Sequence, residues 1–160
     1  MKFTISLSDV RVNPNALDPV RINAFLQREA TNQKAKLDQG IASGMGVDGQ
    51  EIKPGGYSPG YRAAIRKGQV KAPNGVRKVQ EEPVNLTISG DMLRARQVSQ
   101  GADGKSAEIK FGSGAEAAKA GHLLARGFQH WNEFGQEDVK RIEESFGALV
   151  SEMAANIFTK

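Results

Sequence analysis

The sequence has no cysteine and only two histidines, His122 and His130, in 160 residues. The absence of thiols excludes disulfides, a thiol nucleophile and a thiolate metal site. On one continuous helix the two histidines would lie about two turns apart and about 80° from eclipsed, which is poor geometry for one metal ion. We therefore expect no metal site, no cofactor-binding site and no catalytic residue.

Long apolar runs are also missing. No stretch approaches the roughly 18–20 apolar residues that a membrane span requires. The N-terminal sequence MKFTISLSDV contains no apolar run long enough for a signal peptide. The sequence thus predicts a protein with no membrane partner, made in a cytoplasm.

Common catalytic motifs are absent as well. The sequence has no glycine-rich phosphate loop ending in Lys-Ser or Lys-Thr, no dinucleotide fingerprint and no Gly-x-Ser-x-Gly elbow. The adjacent carboxylates Glu143 and Glu144 would point about 100° apart on a helix, so they do not form an acid/base dyad. These absences favour a protein that is not an enzyme.

Positive charge is concentrated in one segment of the chain. The 22 basic and 18 acidic residues give a formal net charge of +4. Residues 53–78 contain seven basic residues, no acidic residue and both tyrosines, whereas residues 79–160 carry nine basic and twelve acidic residues. This segment indicates contact with phosphate or with an acidic protein surface, with tyrosine rings available for stacking. The alternative is a solvated loop that its charges keep extended.

The residues expected to make this partner contact are the basic and tyrosine residues of that segment. They are Lys53, Tyr57, Tyr61, Arg62, Arg66, Lys67, Lys71, Arg77 and Lys78.

The first third of the chain predicts a strand followed by a long helix. Residues 2–8 alternate apolar and polar side chains, which is typical of a half-buried strand. Asp18 is able to cap free backbone amides, and Pro19 suits a first helical position. We expect a helix from 19 to about 39 that ends at Gly40.

Residues 44–83 are rich in glycine, proline and charge, which interrupt regular structure. One short helix is expected within them, from about Pro59 to Lys67. Because so long a loop is unusual inside a compact domain, we interpret residues 44–82 as an extended basic arm that becomes ordered when it meets a partner.

The C-terminal half predicts a hairpin and two helices. Ala-Asp-Gly-Lys at 102–105 is a turn signal between candidate strands at 95–100 and 107–111. A helix is expected from Ala115 to about Gln129. The final helix, from Gln136 to Phe158, has apolar residues mainly at spacings of three and four.

Together these elements predict a single domain over residues 1–160. The expected fold class is α+β, with a small antiparallel sheet flanked by a long N-terminal helix and a C-terminal helix, and with the long basic arm. No internal repeat is evident.

A second candidate surface combines aromatic and cationic groups. Tryptophan and arginine are enriched at protein–protein hot spots, and Trp131 is the only tryptophan. The alternative is that the aromatic residues form core beneath the last helix. The candidate subunit interface consists of Arg126, His130, Trp131 and Phe134.

The segment from Pro83 to Leu93 resembles one found in the tail-completion proteins of tailed bacteriophages, also described as virion morphogenesis or head–tail joining proteins. These proteins tend to carry a Leu-x-x-(Ser/Thr)-Gly-x-(Met/Leu)-Leu step before a β-hairpin, and residues 86–93 match it. The order that follows is similar too: a hairpin, an alanine-rich helix containing His122, Arg126-Gly127-Phe128, and a final helix with acidic residues in its first turn. One departure is the stretch before His122, which lacks the aromatic residue that many members have.

This resemblance implies a non-enzymatic subunit of a virion ring, such as a tail terminator. The ring would be a homo-oligomer, commonly a hexamer, that joins the tail tube to the head connector and assembles in the host cytoplasm. Its expected partners are further copies of itself, neighbouring tail-tube and connector proteins, and DNA passing through the ring. A small nucleic-acid-binding protein that uses residues 53–78 is the alternative function.

Overall fold

The computed structural model describes residues 2–4, 17–46, 49–72, 74–84, 91–101, 106–128 and 133–158. Within them the chain forms strand β1 (Lys2–Thr4), helices α1 (Pro19–Ser43), α2 (Pro59–Arg66) and α3 (Asp91–Arg94), strands β2 (Arg96–Gln100) and β3 (Ser106–Phe111), and helices α4 (Gly114–Ala125) and α5 (Gln136–Phe158). The fold is α+β with a long N-terminal and a C-terminal helix, which confirms the predicted class.

The small sheet has the order β1-β3-β2. Strand β1 pairs antiparallel with β3, from Lys2 opposite Glu108 to Thr4 opposite Ser106. At the two ends of the β2–β3 pair, the Gly101 amide donates to the Ser106 carbonyl and the Gly112 amide to the Ala95 carbonyl. The predicted hairpin is thereby confirmed, while its turn at 102–105 and residues 5–8 lie outside the described residues.

Helix α1 begins as the sequence predicts and ends later. The Asp18 carboxylate accepts hydrogen bonds from the amides of Val20 and Arg21, at 2.9 Å and 3.5 Å. The predicted end at Gly40 is wrong, since the helix continues to Ser43 and Gly44 follows with φ +78°. Gly40 has another role: a Cβ on this residue would lie 2.7 Å from the carbonyl oxygen of Met45, whose amide donates back to Gly40.

Helix α4 is shorter than predicted, and α5 matches its prediction. Ser113 caps α4 by accepting from the amide of Glu116 at 3.3 Å. The helix ends at Ala125 rather than near Gln129, because Gly127 takes φ +77° and the Phe128 amide turns back to the Leu123 carbonyl.

The chain divides into two compact units, where the sequence analysis expects one domain. Unit 1 comprises residues 1–34, 98–110 and 134–160, and unit 2 comprises 35–97 and 111–133. In unit 1 the rings of Phe25 and Phe146 lie 5.6 Å apart between centroids, and Ile142 is fully buried.

Unit 2 has a core of its own. Its buried members are Ile41, Ile52, Tyr57, Ile65, Val84, Ala120 and Phe128. Three of these belong to residues 44–82. The segment expected as an extended arm therefore packs within unit 2, because Ile52, Tyr57 and Ile65 remove apolar surface from water there.

Candidate partner-contact surface

Helix α2 organises the basic segment. The Ser58 hydroxyl accepts from the Tyr61 amide, and Pro59 occupies the first helical position, so the sequence prediction of a short helix is confirmed. The helix ends where Gly68 adopts φ +66°. All nine predicted contact residues lie in this helix or in the chain on either side of it.

Two of the arginines of the segment form ion pairs with the glutamates that follow it. Arg62 reaches Glu82 at 2.8 Å and also donates to the Tyr57 carbonyl at 3.0 Å. Arg66 donates to both carboxylate oxygens of Glu81, at 2.8 Å and 3.0 Å. This hydrogen bond lowers the pKa of Glu81 and raises the pKa of Arg66. Both arginines therefore link residues 81–82 to α2.

Two of the lysines pack on aromatic rings. The Lys53 ammonium lies 4.5 Å from the centroid of the Phe128 ring and donates to the Arg126 carbonyl at 2.9 Å. The Lys78 ammonium lies 5.4 Å from the centroid of the Tyr57 ring. Lys78 is only 4% exposed, and its burial lowers its pKa to about 8. Both contacts are cation–π interactions that stabilise unit 2.

The two tyrosines lie together instead of forming an open stacking platform. Tyr57 is buried, and its ring centroid is 4.9 Å from that of Tyr61. Tyr61 is partly exposed, and burial raises the pKa of its hydroxyl while the positive charge of Arg126 offsets part of this shift. Only Tyr61 presents surface to a partner.

The remaining three cations are exposed. Lys71 and Arg77 are cross-strand neighbours in a small hairpin, and Lys67 directly follows α2. Within the described part of the chain none of the three forms an ion pair. The nine predicted contact residues thus separate into a packed or paired group and an exposed group consisting of Lys67, Lys71 and Arg77.

The candidate subunit interface is described only in part. Arg126 is exposed at the end of α4, and Phe134 is half-buried. His130 and Trp131 lie outside the described residues. The grouping of these four side chains stays a prediction.

The net charge resides in unit 2. From the sequence, unit 1 contains ten basic and ten acidic residues, and unit 2 contains twelve basic and eight acidic residues. The whole formal charge of +4 therefore belongs to the unit that carries the basic segment.

Sequence reasoning missed two features of this surface. Val76 and Val79 are exposed beside the cations, with Val79 85% exposed. Glu81 and Glu82, which lie just beyond the basic segment, each form an ion pair with an arginine of α2. Their position directly after a segment with seven basic residues was the sequence feature that could have indicated these ion pairs.

An open cavity of about 560 Å³ lies in unit 2 between the end of α1 and residues 82–84. Its charged lining groups are Glu51, Lys53, Arg62 and Glu82. Within the described ranges, no three His, Asp or Glu side chains are grouped so that they hold a metal ion, and no helix is long and apolar enough to cross a membrane.

Comparison with known proteins gives no relative. No family model, no curated protein and no solved structure matches this chain.

Proposed function

We propose that this chain is a structural subunit of a bacteriophage neck or tail-end ring, a tail terminator or tail-completion protein that joins the tail tube to the head connector. The observation that carries the proposal is the order of elements from residue 91 to residue 158: a short helix, a hairpin, an alanine-rich helix containing His122, a turn and a final helix. The resemblance implies the same order for proteins of this kind.

The exposed group of cations supports a role in assembly. A closed ring requires two different faces on every subunit, because each copy contacts one neighbour with one face and the next with another. Lys67, Lys71, Arg77 and Val79 are all exposed and would contribute to one such face. In a virion this face would meet a neighbouring subunit or ring, and DNA would pass through the centre.

Native mass spectrometry of the purified chain over a concentration series tests the proposal. We expect one discrete multimer near six subunits whose stoichiometry does not change with concentration, since a closed ring has no free face left. A monomer at every concentration, or a continuous ladder of sizes, contradicts a self-assembling ring.

A nucleic-acid-binding protein using residues 53–78 is the second candidate function. The exposed cations favour it, whereas the burial of Tyr57 removes one of the two stacking rings. Phosphate contacts would give an affinity for duplex or single-stranded DNA that falls steeply as salt rises. Fluorescence anisotropy at low salt decides, and an absence of binding there removes this candidate.

A further inference from the structure

The tip of the hairpin that pairs Lys71 with Arg77 contains Asn74-Gly75, the only Asn-Gly sequence in the chain. Both residues of this dipeptide are exposed. Gly75 has φ +81°, and a Cβ added to it would have no heavy atom within 4 Å. Gly75 therefore has neither a side chain nor a close neighbour that would hinder movement of its backbone nitrogen.

The side chain of Asn74 is folded onto the backbone that follows it. Its Oδ1 accepts a hydrogen bond from the Val76 amide at 3.2 Å, which closes an Asx turn. The Gly75 nitrogen lies in the chain between these two hydrogen-bonded groups, so the turn brings Cγ of Asn74 alongside it. The Val76 amide also points at the oxygen that becomes negative when Cγ is attacked, and a donor in that position stabilises the developing charge.

The charges of the hairpin favour the same reaction. Lys71 and Arg77 close the hairpin on the two sides of its tip, and residues 53–78 contain no acid. Their positive potential favours the deprotonated form of the Gly75 amide and the negative oxygen on Cγ.

One hydrogen bond opposes the reaction. The Gly75 amide donates to the Ala72 carbonyl at 2.9 Å, and this bond must open before the nitrogen is able to attack. A single hydrogen bond at an exposed turn contributes little net stability, so its opening slows the reaction only modestly.

We propose that Asn74 deamidates in the folded protein without an enzyme, through a cyclic imide formed with Gly75. Hydroxide removes the proton of the Gly75 amide, and the nitrogen then attacks Cγ of Asn74. The N–Cγ bond forms, the Cγ–Nδ2 bond breaks, and the leaving nitrogen takes a proton from water and departs as ammonia. Water then adds to either carbonyl carbon of the imide and opens the ring to an aspartic or an isoaspartic residue. The new carboxyl group passes its proton to the ammonia, so one water is consumed and one ammonium ion is released.

The two products affect the hairpin differently. Both place a carboxylate at the tip of the hairpin closed by Lys71 and Arg77, and both lower the formal net charge from +4 to +3. The aspartate still accepts from the Val76 amide, so the turn persists. The isoaspartate carries the chain through Cγ and lengthens the backbone by one methylene, so the hairpin loses its register. The reaction is independent of the proposed ring function, because it uses only the tip of the hairpin.

Peptide mapping of the full chain tests the proposal. The folded protein is incubated at mildly alkaline pH and sampled over days, and a sample digested at the start corrects for conversion during digestion. Trypsin releases residues 72–77 with Asn74 in one peptide and residues 29–34 with Asn32 in another. Mass spectrometry measures the conversion of amide to acid in each peptide, and isoaspartyl methyltransferase labels the isoaspartate.

Asn32 is the internal control, because it is also exposed but lies within α1. The amide that follows it belongs to the helix, where amides donate to carbonyls four residues earlier. We expect Asn74 to convert at least about tenfold faster than Asn32, since only Asn74 has its nucleophile and its donor in position.

Two glycine variants test the role of the Gly75 nitrogen. Gly75→Ala is expected to slow the conversion of Asn74 about tenfold, because a Cβ hinders the approach of the nitrogen. Gly49→Ala is the matched control, since Gly49 has φ +73° and likewise no neighbour within 4 Å. It should leave the conversion unchanged. Should Gly75→Ala lower the unfolding temperature more than Gly49→Ala does, Asn74→Gln replaces it, and its longer side chain should not convert.

The unfolded chain in guanidinium chloride gives the reference rate. We expect the folded rate to stay within about tenfold of it, because only one hydrogen bond has to open. A folded chain that shows no conversion at Asn74 while the unfolded chain converts overturns the proposal, since the turn then protects the residue. Equal rates at Asn74 and Asn32 also overturn it. A loss of rate in Gly49→Ala as large as that in Gly75→Ala overturns the assignment of the Gly75 nitrogen as the nucleophile.

Discussion

Lys78 lies over the ring of Tyr57, with its ammonium nitrogen 5.4 Å from the ring centroid, in a place where the lysine is almost fully buried. The ring attracts the cation, but burial removes most of its hydration. Burial has the larger effect, because the pKa of Lys78 falls from 10.5 to about 8. Unit 2 thus contains a lysine that releases its proton more readily than a lysine in the unfolded chain.

The first prediction concerns the dependence of stability on pH. Between pH 8 and 10.5 the unfolded chain keeps the Lys78 proton while the folded chain has lost it, so the free energy of unfolding rises with pH across this window. The rise from this group is about 3 kcal/mol at most. Urea denaturation at several pH values should show it in the wild type and in the control Lys71→Met, but not in Lys78→Met. An equal rise of the free energy of unfolding in all three proteins would show that the rise does not come from Lys78.

The second prediction concerns the end of α1. A methyl group on Gly44 would lie 2.6 Å from the Cβ of Pro83 and 2.8 Å from the Val84 carbonyl oxygen, whereas Gly49 has a similar φ and no neighbour within 4 Å. We expect Gly49→Ala to cost about 1–2 kcal/mol for the left-handed conformation alone. Gly44→Ala should cost about 2 kcal/mol more, since residues 83–84 must move. If urea denaturation shows the same loss in the free energy of unfolding for Gly44→Ala and Gly49→Ala, the close approach to Pro83 does not affect stability.

The third prediction concerns the buried carboxylate of Glu29. It is 3% exposed and binds Arg28 at 3.2 Å and Arg141 at 3.0 Å, and both arginines remain substantially exposed. Removing Arg141 leaves a buried acid with one partner fewer, so Arg141→Met should lower the free energy of unfolding by about 1–3 kcal/mol. Glu29→Met frees two arginines that water already reaches, so its cost should stay within about 1 kcal/mol.

The double variant Glu29→Met/Arg141→Met provides the control for this asymmetry. It should recover most of the stability lost in Arg141→Met, because the buried charge is gone. A double variant whose loss equals the sum of the two single losses would show that the pair contributes no coupling.

The sequence was sufficient to predict helices and helix ends that are specified by residues close together in the chain. Asp18-Pro19 marks the start of α1, and the spacing of apolar residues marks α5 from Gln136 to Phe158. The end of α1 was misplaced because Gly40 serves a close contact with the Met45 carbonyl, and nothing near Gly40 in sequence indicates that contact. Glycine alone does not distinguish a helix end from a packing site.

The sequence predicted which residues belong to the candidate surface. It did not predict that they divide into a packed or paired group and an exposed group. By charge alone, Lys53 and Lys78 belong to the same group as Lys71 and Arg77. Only folding shows that the first two pack on aromatic rings. The difference arises from Phe128, which is far away in sequence, and from the alternation of side chains in the hairpin that pairs Lys71 with Arg77.

The last prediction concerns the ion pair of Arg66 and Glu81. Its two hydrogen bonds, at 2.8 Å and 3.0 Å, hold the pKa of Glu81 below its ordinary value of 4.5, and the charges of Arg66 and Arg62 add to the effect. Carbon-detected NMR titration of the Glu81 carboxyl should show the low pKa in the wild type and a clearly higher one in Arg66→Gln. Arg77→Gln removes a cation from the same segment that does not contact Glu81, so it should leave this pKa unchanged. Because the folded pKa is depressed, the pair stabilises the fold above the unfolded pKa and loses that effect as pH falls through the folded pKa. The same shift in both variants would mean that Glu81 responds to the overall charge of the segment, and the pair would then not hold residues 81–82 against α2.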